Sequence, residues 1–185
     1  MTEIATTTTT PRKPKVLYIP VDKPIHDDKS WKTLNERFEV IYYDSPSIED
    51  WIKEASKPDG KYAGIEAIAR PHDLRAPPYG SQLLFSGEAA RAIPSTVKVI
   101  VSAGHGYDVV DVDYLTKREI YFCNSPDSCS IATADTGTFL VLQSFRYLTF
   151  AEDKLRSGEF FGASELNHLG ENPNGKTLGV IGLGN

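Results

Sequence analysis

Three stretches of this sequence hold residue types that could do chemistry. The first is Gly182-Leu183-Gly184-Asn185, directly after the apolar run Leu178-Gly179-Val180-Ile181. A glycine-rich turn at the end of a buried strand is how a parallel sheet grips a pyrophosphate. The first glycine permits the tight turn, and the second lets backbone N–H groups approach the phosphates. Only those two glycines are present, and an ordinary strand-ending turn would read the same. The second stretch is Ser102-Ala103-Gly104-His105-Gly106-Tyr107-Asp108, after the β-branched run Val97-Lys98-Val99-Ile100-Val101. Ligands of open α/β sheets bind outside the carboxyl ends of strands. Glycines on both sides of His105 leave the amides of His105 and Gly106 open to a carboxylate or phosphate. A plain loop with an incidental histidine has the same spelling. Asp108 and Asp111 read as caps of the helix that follows. The third stretch is Asn124-Ser125-Pro126, followed by Thr133-Ala134-Asp135 at the start of a long apolar segment.

These residues need elements to position them. Lys15 to Pro20 reads as a buried strand ended by proline. Ser30 to Phe38 has helical spacing of Trp31, Leu34 and Phe38, with Ser30 as its expected N-cap. Glu39 to Tyr43 reads as a strand, and Ser47 to Ala55 as a helix capped by Ser47. Ile65 to Ala69 is a weaker strand, followed by a loop with Pro71, Pro77, Pro78 and Gly80. Ser81 to Ala92 is expected to be helical. After the Val97–Val101 strand come a helix over Val112 to Arg118 and a strand over Ile120 to Cys123. Strand–helix alternation with short links predicts an α/β fold with a parallel sheet.

Ser130 to Phe150 differs from the rest. It is apolar nearly all round, which predicts a helix buried on every side, with Asp135 in its first turn where the helix dipole favours an anion. Ala151 to Asn174 reads as irregular, with a turn at Asn172-Pro173-Asn174-Gly175. Leu178 to Ile181 reads as a strand.

Composition narrows the function classes. The 185 residues are 40% hydrophobic and 24% charged, which fits a globular chain. A net charge of −5 without a Lys/Arg run argues against a nucleic-acid surface. The apolar segment contains Asp135, Gln143 and Arg146 and would make a poor membrane span. Met1 to Pro14 lacks the apolar core of a secretory signal and reads as a disordered tail, so a cytoplasmic location is expected. Cys123 and Cys129 are spaced for neither a zinc site nor a redox pair, and no metal is expected.

The order of the motifs carries more than any one of them. Ala103-Gly104-His105-Gly106-Tyr107-Asp108, Asn124-Ser125-Pro126, Ala132-Thr133-Ala134-Asp135, Leu155-Arg156-Ser157-Gly158 and Gly175 to Gly184 together resemble the D-isomer-specific 2-hydroxyacid dehydrogenases, a family that includes glyoxylate/hydroxypyruvate reductases. The resemblance runs from Val97 to Asn185 and is loose before that, where Ala63-Gly64-Ile65 and Ala69-Arg70 agree. It implies an NAD(P)-dependent enzyme interconverting 2-keto and 2-hydroxy acids, with a flavodoxin-like substrate domain and a Rossmann domain, forming a homodimer. In that layout residues 1–14 are tail, 15–130 the substrate domain, 131–150 an interdomain helix and 151–185 the start of the Rossmann domain. The C-terminal end of the full protein would complete the substrate domain.

By position, His105 and Gly106 would bind the substrate carboxylate, Thr133 would lie near the nicotinamide, and Gly182, Gly184 and Asn185 would begin the pyrophosphate turn. His105 stands where Val, Thr or Ile is usual, Asp135 replaces the commoner Glu, and Phe160 or Phe161 replaces a Trp. The family's substrate-orienting Arg, its His acid/base and the supporting carboxylate are expected beyond Asn185. His26, His72 and His168 are outside the motifs. This chain alone is therefore expected to be inactive, to bind the dinucleotide poorly and to tend towards aggregation or dimerisation. The alternative is a dinucleotide-sensing, corepressor-like member of the same superfold.

Overall fold

The computed structural model describes residues 12–20, 28–70, 84–159 and 168–182. The chain divides into two units, residues 1–125 and 126–185.

The first unit is built on five parallel strands: β1 (Lys15–Tyr18), β2 (Glu39–Tyr42), β3 (Ile65–Arg70), β4 (Val99–Ser102) and β5 (Tyr121–Cys123). Their order is β2-β1-β3-β4-β5, the doubly wound order of flavodoxin-like sheets. Helices α1 (Asp28–Arg37), α2 (Ile48–Ala55), α3 (Gly87–Arg91) and α4 (Val112–Lys117) link them.

The register sorts the side chains into rows. Ile41, Leu17, Ile68, Ile100 and Phe122 are paired across the sheet and point to one face. That face forms the core with Trp51 and Ala55 of α2, Ala89 and Ala90 of α3, and Leu115 of α4. Trp51 is central. Its ring lies 5.7 Å from Tyr43 and 5.2 Å from Tyr62, and its Nε1 donates to the Ala89 carbonyl at 3.0 Å. The opposite face carries Tyr42, Tyr18, Ala69, Val101 and Cys123 in one row. There Trp31 of α1 packs edge-on against Tyr18 at 5.1 Å. Among the described residues no helix of this unit covers the β4–β5 half of that face, where Val101 is 46% and Tyr121 76% exposed.

Local chemistry explains two of the helix starts. Ser47 Oγ accepts the Asp50 N–H at 3.1 Å and caps α2, and Asp111 Oδ1 accepts the Tyr114 N–H at 3.0 Å and caps α4. Ser30 does not cap α1, because that helix already begins at Asp28. Of the expected Ser81–Ala92 helix, residues 81–83 lie outside the described residues, and the described helix is the short α3 behind Ser86.

The second unit contains α5 (Ser130–Arg146) and α6 (Leu148–Arg156). One helix was expected over 131–150. Tyr147 breaks it by adopting a left-handed φ of 51°, where its N–H reaches back to the Gln143 carbonyl. α6 then runs into the stretch expected to be irregular. Neither helix has a buried residue, which corrects the expectation of burial on every side. Asp135 sits past the first turn of α5, since the helix starts at Ser130. The turn at 172–175 forms, with the Asn174 N–H on Asn172 Oδ1 at 3.0 Å. Leu178 to Ile181 makes no ladder among the described residues and is not a strand, because a strand exists only through a partner.

Candidate active-site loop

The loop after β4 lies at the carboxyl end of the sheet, one strand from its centre. Its first residues are tied down on two sides. The Ala103 N–H donates to the Arg70 carbonyl at 3.2 Å, joining it to the end of β3. Ser102 is fully buried, and its Oγ accepts the Gly104 N–H at 3.4 Å. From the other side, the Ser125 N–H donates to the Gly104 carbonyl at 3.1 Å, and Asn124 Nδ2 donates to the His105 carbonyl at 2.8 Å. Ser125 Oγ donates to the Ser102 carbonyl at 3.3 Å. Downstream, the Asp111 N–H meets the Phe85 carbonyl at 2.9 Å and anchors the start of α4.

These bonds aim the amides. In a trans peptide the C=O and the N–H of the next residue point in opposite directions. With the Gly104 and His105 carbonyls held by the segment after β5, the N–H groups of His105 and Gly106 face away from it. Among the described residues neither N–H has a protein acceptor, and both residues are exposed. Two neighbouring donors aimed outward can take two oxygens of one carboxylate. Gly106 needs no glycine for its own backbone: its φ is not positive, and an added Cβ would meet only Asp108 Oδ2, at 3.4 Å. Glycine there leaves the amide side of the loop open to close approach. Asp108 makes no cap; that role belongs to Asp111 alone.

Arg70 was assigned no role from the sequence. It ends the central strand β3, is paired in register with Ser102, and is 5% exposed, with its guanidinium 5.5 Å from the Phe85 ring centroid. Burial pushes its pKa down, yet an arginine keeps its charge. The signal in the sequence was an arginine closing an otherwise apolar strand. Beside the loop, an open groove of about 880 Å³ is lined by Tyr107, Val112, Ile120, Tyr121, Phe122 and Asn124 among others.

Thr133 and Gly182 belong to the second unit. Thr133 is exposed in the first turn of α5, with its N–H on the Cys129 carbonyl at 2.9 Å. Gly182 has φ +90° and open space where a Cβ would be, the conformation a tight turn asks of a first glycine. Gly184 and Asn185 lie outside the described residues, as do His26, His72, Phe160 and Phe161. Among the described residues no group of His, Cys, Asp and Glu could hold a metal ion, and no helix is long and apolar enough to cross a membrane.

Residues 79–169 match the catalytic domain of the D-isomer specific 2-hydroxyacid dehydrogenases. This stretch contains the loop, the Asn124-Ser125 segment and α5. The chain belongs to that family.

Its relatives agree. Glyoxylate reductase 1 of Saccharomyces cerevisiae is 34% identical over 94% of this chain and 49% of its own length. The D-mandelate dehydrogenase of Rhodotorula graminis superposes with a TM-score of 0.79 at 27% identity, over 94% of this chain and 50% of that one. A glyoxylate reductase from Paecilomyes thermophila gives 0.78 at 28% identity, over 93% and 49%. The chain spans about half the length of the curated relatives it matches.

Proposed function

We propose that this chain is the substrate-binding part of an NAD(P)-dependent oxidoreductase that interconverts small 2-keto and 2-hydroxy acids of the glyoxylate/hydroxypyruvate type. The observation that carries the reading is the pair of outward amides at His105 and Gly106, on a loop whose carbonyls are held from behind in a chain of this family. The substrate's carboxylate binds that N–H pair. The buried cation of Arg70, on the neighbouring strand, adds favourable charge at the same end of the sheet. Fixing the carboxylate fixes the adjacent C2, which is how a binding loop lowers the entropic part of a barrier.

Gly182, with Gly184, Asn185 and Thr133, would hold the dinucleotide; Gly182 fits by its left-handed backbone. When bound, that group supplies a hydride for C2 in reduction and takes it back in oxidation. The keto oxygen gains a proton in reduction from a general acid. In this reading residues 15–130 form the substrate domain, and the bare β4–β5 half of the sheet is closed by the protein's C-terminal end. The exposed apolar side chains of α5 are covered by the dinucleotide domain and by a second subunit.

The test is nicotinamide oxidation by the complete protein with a panel of 2-keto acids. Reduction of glyoxylate or hydroxypyruvate is expected. Dinucleotide binding with no reduction across the panel would overturn the enzymatic reading in favour of a sensing role.

A further inference from the structure

An asparagine can react with its own chain when two atoms are free. One is the side-chain Cγ, an electrophile. The other is the backbone nitrogen of the next residue, a nucleophile. Four asparagines stand among the described residues, and three of them are held or blocked. Asn35 lies in α1, where its Nδ2 donates to the Trp31 carbonyl at 2.8 Å and the following N–H belongs to the helix ladder. Asn124 donates from Nδ2 to the His105 carbonyl at 2.8 Å, and the Ser125 N–H after it donates to the Gly104 carbonyl at 3.1 Å. Asn172 precedes Pro173, which has no N–H.

Asn174 differs on each count. It is exposed, and its side-chain amide makes no hydrogen bond among the described residues. Its own N–H is fixed, donating to Asn172 Oδ1 at 3.0 Å. The Lys176 N–H donates to the Pro173 carbonyl at 3.1 Å and closes a turn with Asn174 and Gly175 at its centre. Gly175 takes a φ of +75°, and nothing lies within 4 Å of where its Cβ would be. The Gly175 N–H has no acceptor among the described residues. Nucleophile and electrophile are therefore both unengaged, and no side chain stands between them. Asn-Gly occurs once in the sequence, at this turn.

We propose that Asn174 is a site of spontaneous covalent modification, converting through a succinimide to aspartyl and isoaspartyl forms. The Gly175 nitrogen gives its proton to solvent base and bonds to Asn174 Cγ. The Cγ–Nδ2 bond breaks, and Nδ2 takes a proton from water and leaves as ammonia. Water then opens the ring. Cleavage between the Gly175 nitrogen and Cγ gives aspartate. Cleavage between that nitrogen and the main-chain carbonyl carbon gives isoaspartate, whose chain runs through Cβ and Cγ. One water is consumed and one ammonia released, with no change of oxidation state. Either product puts a new carboxylate beside the ion pair of Lys176 with Glu171, whose atoms are 2.6 Å apart. The isoaspartyl form also adds one atom to the main chain inside the turn that the Pro173–Lys176 hydrogen bond closes.

The complete protein and its Asn174→Gln variant are aged at mildly alkaline pH, digested and mapped by mass spectrometry. The wild-type peptide holding Asn174 should gain about 1 Da as an amide becomes a carboxylate. It should split into two chromatographic forms, one of them methylated by an isoaspartyl-specific methyltransferase. Conversion at Asn174 should run at least about tenfold faster than at Asn124, whose hydrogen bonds must open first. Unfolding in guanidinium chloride should speed Asn124 by about tenfold, whereas Asn174, already open, should change less than about twofold. The exposed exchange Asn174→Gln should abolish the gain and leave the melting temperature unmoved. Equal rates at the two asparagines in the folded protein would overturn the proposal. So would a tenfold rise at Asn174 on unfolding, because the turn would then be protecting it. A persisting gain in the same peptide of Asn174→Gln would place the chemistry at another residue and refute it as well.

Discussion

The two units of this chain treat apolar side chains in opposite ways. In the first, Trp51, Tyr62, Leu17, Ile68 and Ile100 are each 1% exposed or less and form one cluster between the sheet and helices α2, α3 and α4. In the second, α5 and α6 bury no residue, and Ile131 stands 81% and Leu155 78% exposed. A helix gains most of its stability from burying a face. The first unit thus holds an apolar core of its own, whereas among the described residues the helices of the second leave their apolar side chains exposed. The candidate site follows this division. His105 and Gly106 lie on a loop pinned to the unit that holds the core, whereas Thr133 is exposed on α5.

The largest contrast concerns core truncation. Trp51→Ala should destabilise the chain by about 3–5 kcal/mol, since it empties a filled site and strands the Ala89 carbonyl. Phe139→Ala on α5, 56% exposed, should cost less than about 1 kcal/mol in this chain. Urea unfolding followed by circular dichroism measures both. Similar losses would show that α5 is packed after all and would remove the distinction.

Next is Gly106→Ala. The structure leaves room for the methyl group, so the melting temperature should hold, while the KM for a 2-keto acid in the complete protein should rise about tenfold through crowding of the carboxylate. A lowered melting temperature with unchanged KM would make Gly106 a folding residue. Asp111→Ala should then cost about 1 kcal/mol through loss of the α4 cap, and it should loosen the end of the site loop. Hydrogen exchange over residues 112–117 reads that loss.

The smallest effect is electrostatic. The Lys61 ammonium, bonded to Asp44, holds the Asp44 carboxyl below its ordinary value, with help from the Tyr62 hydroxyl at 3.0 Å and against some desolvation. A depressed carboxylate pKa stabilises the fold above its unfolded value, and that gain is lost as pH falls through the folded value. Lys61→Met should therefore cost less than about 0.5 kcal/mol at neutral pH, because Asp44 is 64% exposed. The gap should close as the solution is acidified below the carboxylate range. A gap that widened on acidification would contradict the pairing.

The sequence made some of this legible. An apolar run ended by Pro20 marked β1 and a β-branched run marked β4, and the caps Ser47 and Asp111 were readable because capping is local chemistry. The loop at His105 and Gly106 could be placed at a strand's carboxyl end for the same reason. The break at Tyr147 could not, since a tyrosine in the left-handed region has no local signature. The bond from Asn124 to the His105 carbonyl was hidden too: it joins residues 19 apart and exists only once β4 and β5 are paired. Arg70 needed the sheet order to bring it beside Ser102. The strand expected at Leu178 to Ile181 had the right composition, but composition supplies no partner.

In the proposed function the His105 and Gly106 amides receive the substrate's carboxylate. A crystal structure of the complete protein with NAD(P)H and oxalate tests it most directly. A carboxylate of oxalate is expected within hydrogen-bond distance of both amides, with Asn124 still on the His105 carbonyl. Oxalate bound elsewhere, with those two amides left to solvent, would contradict it.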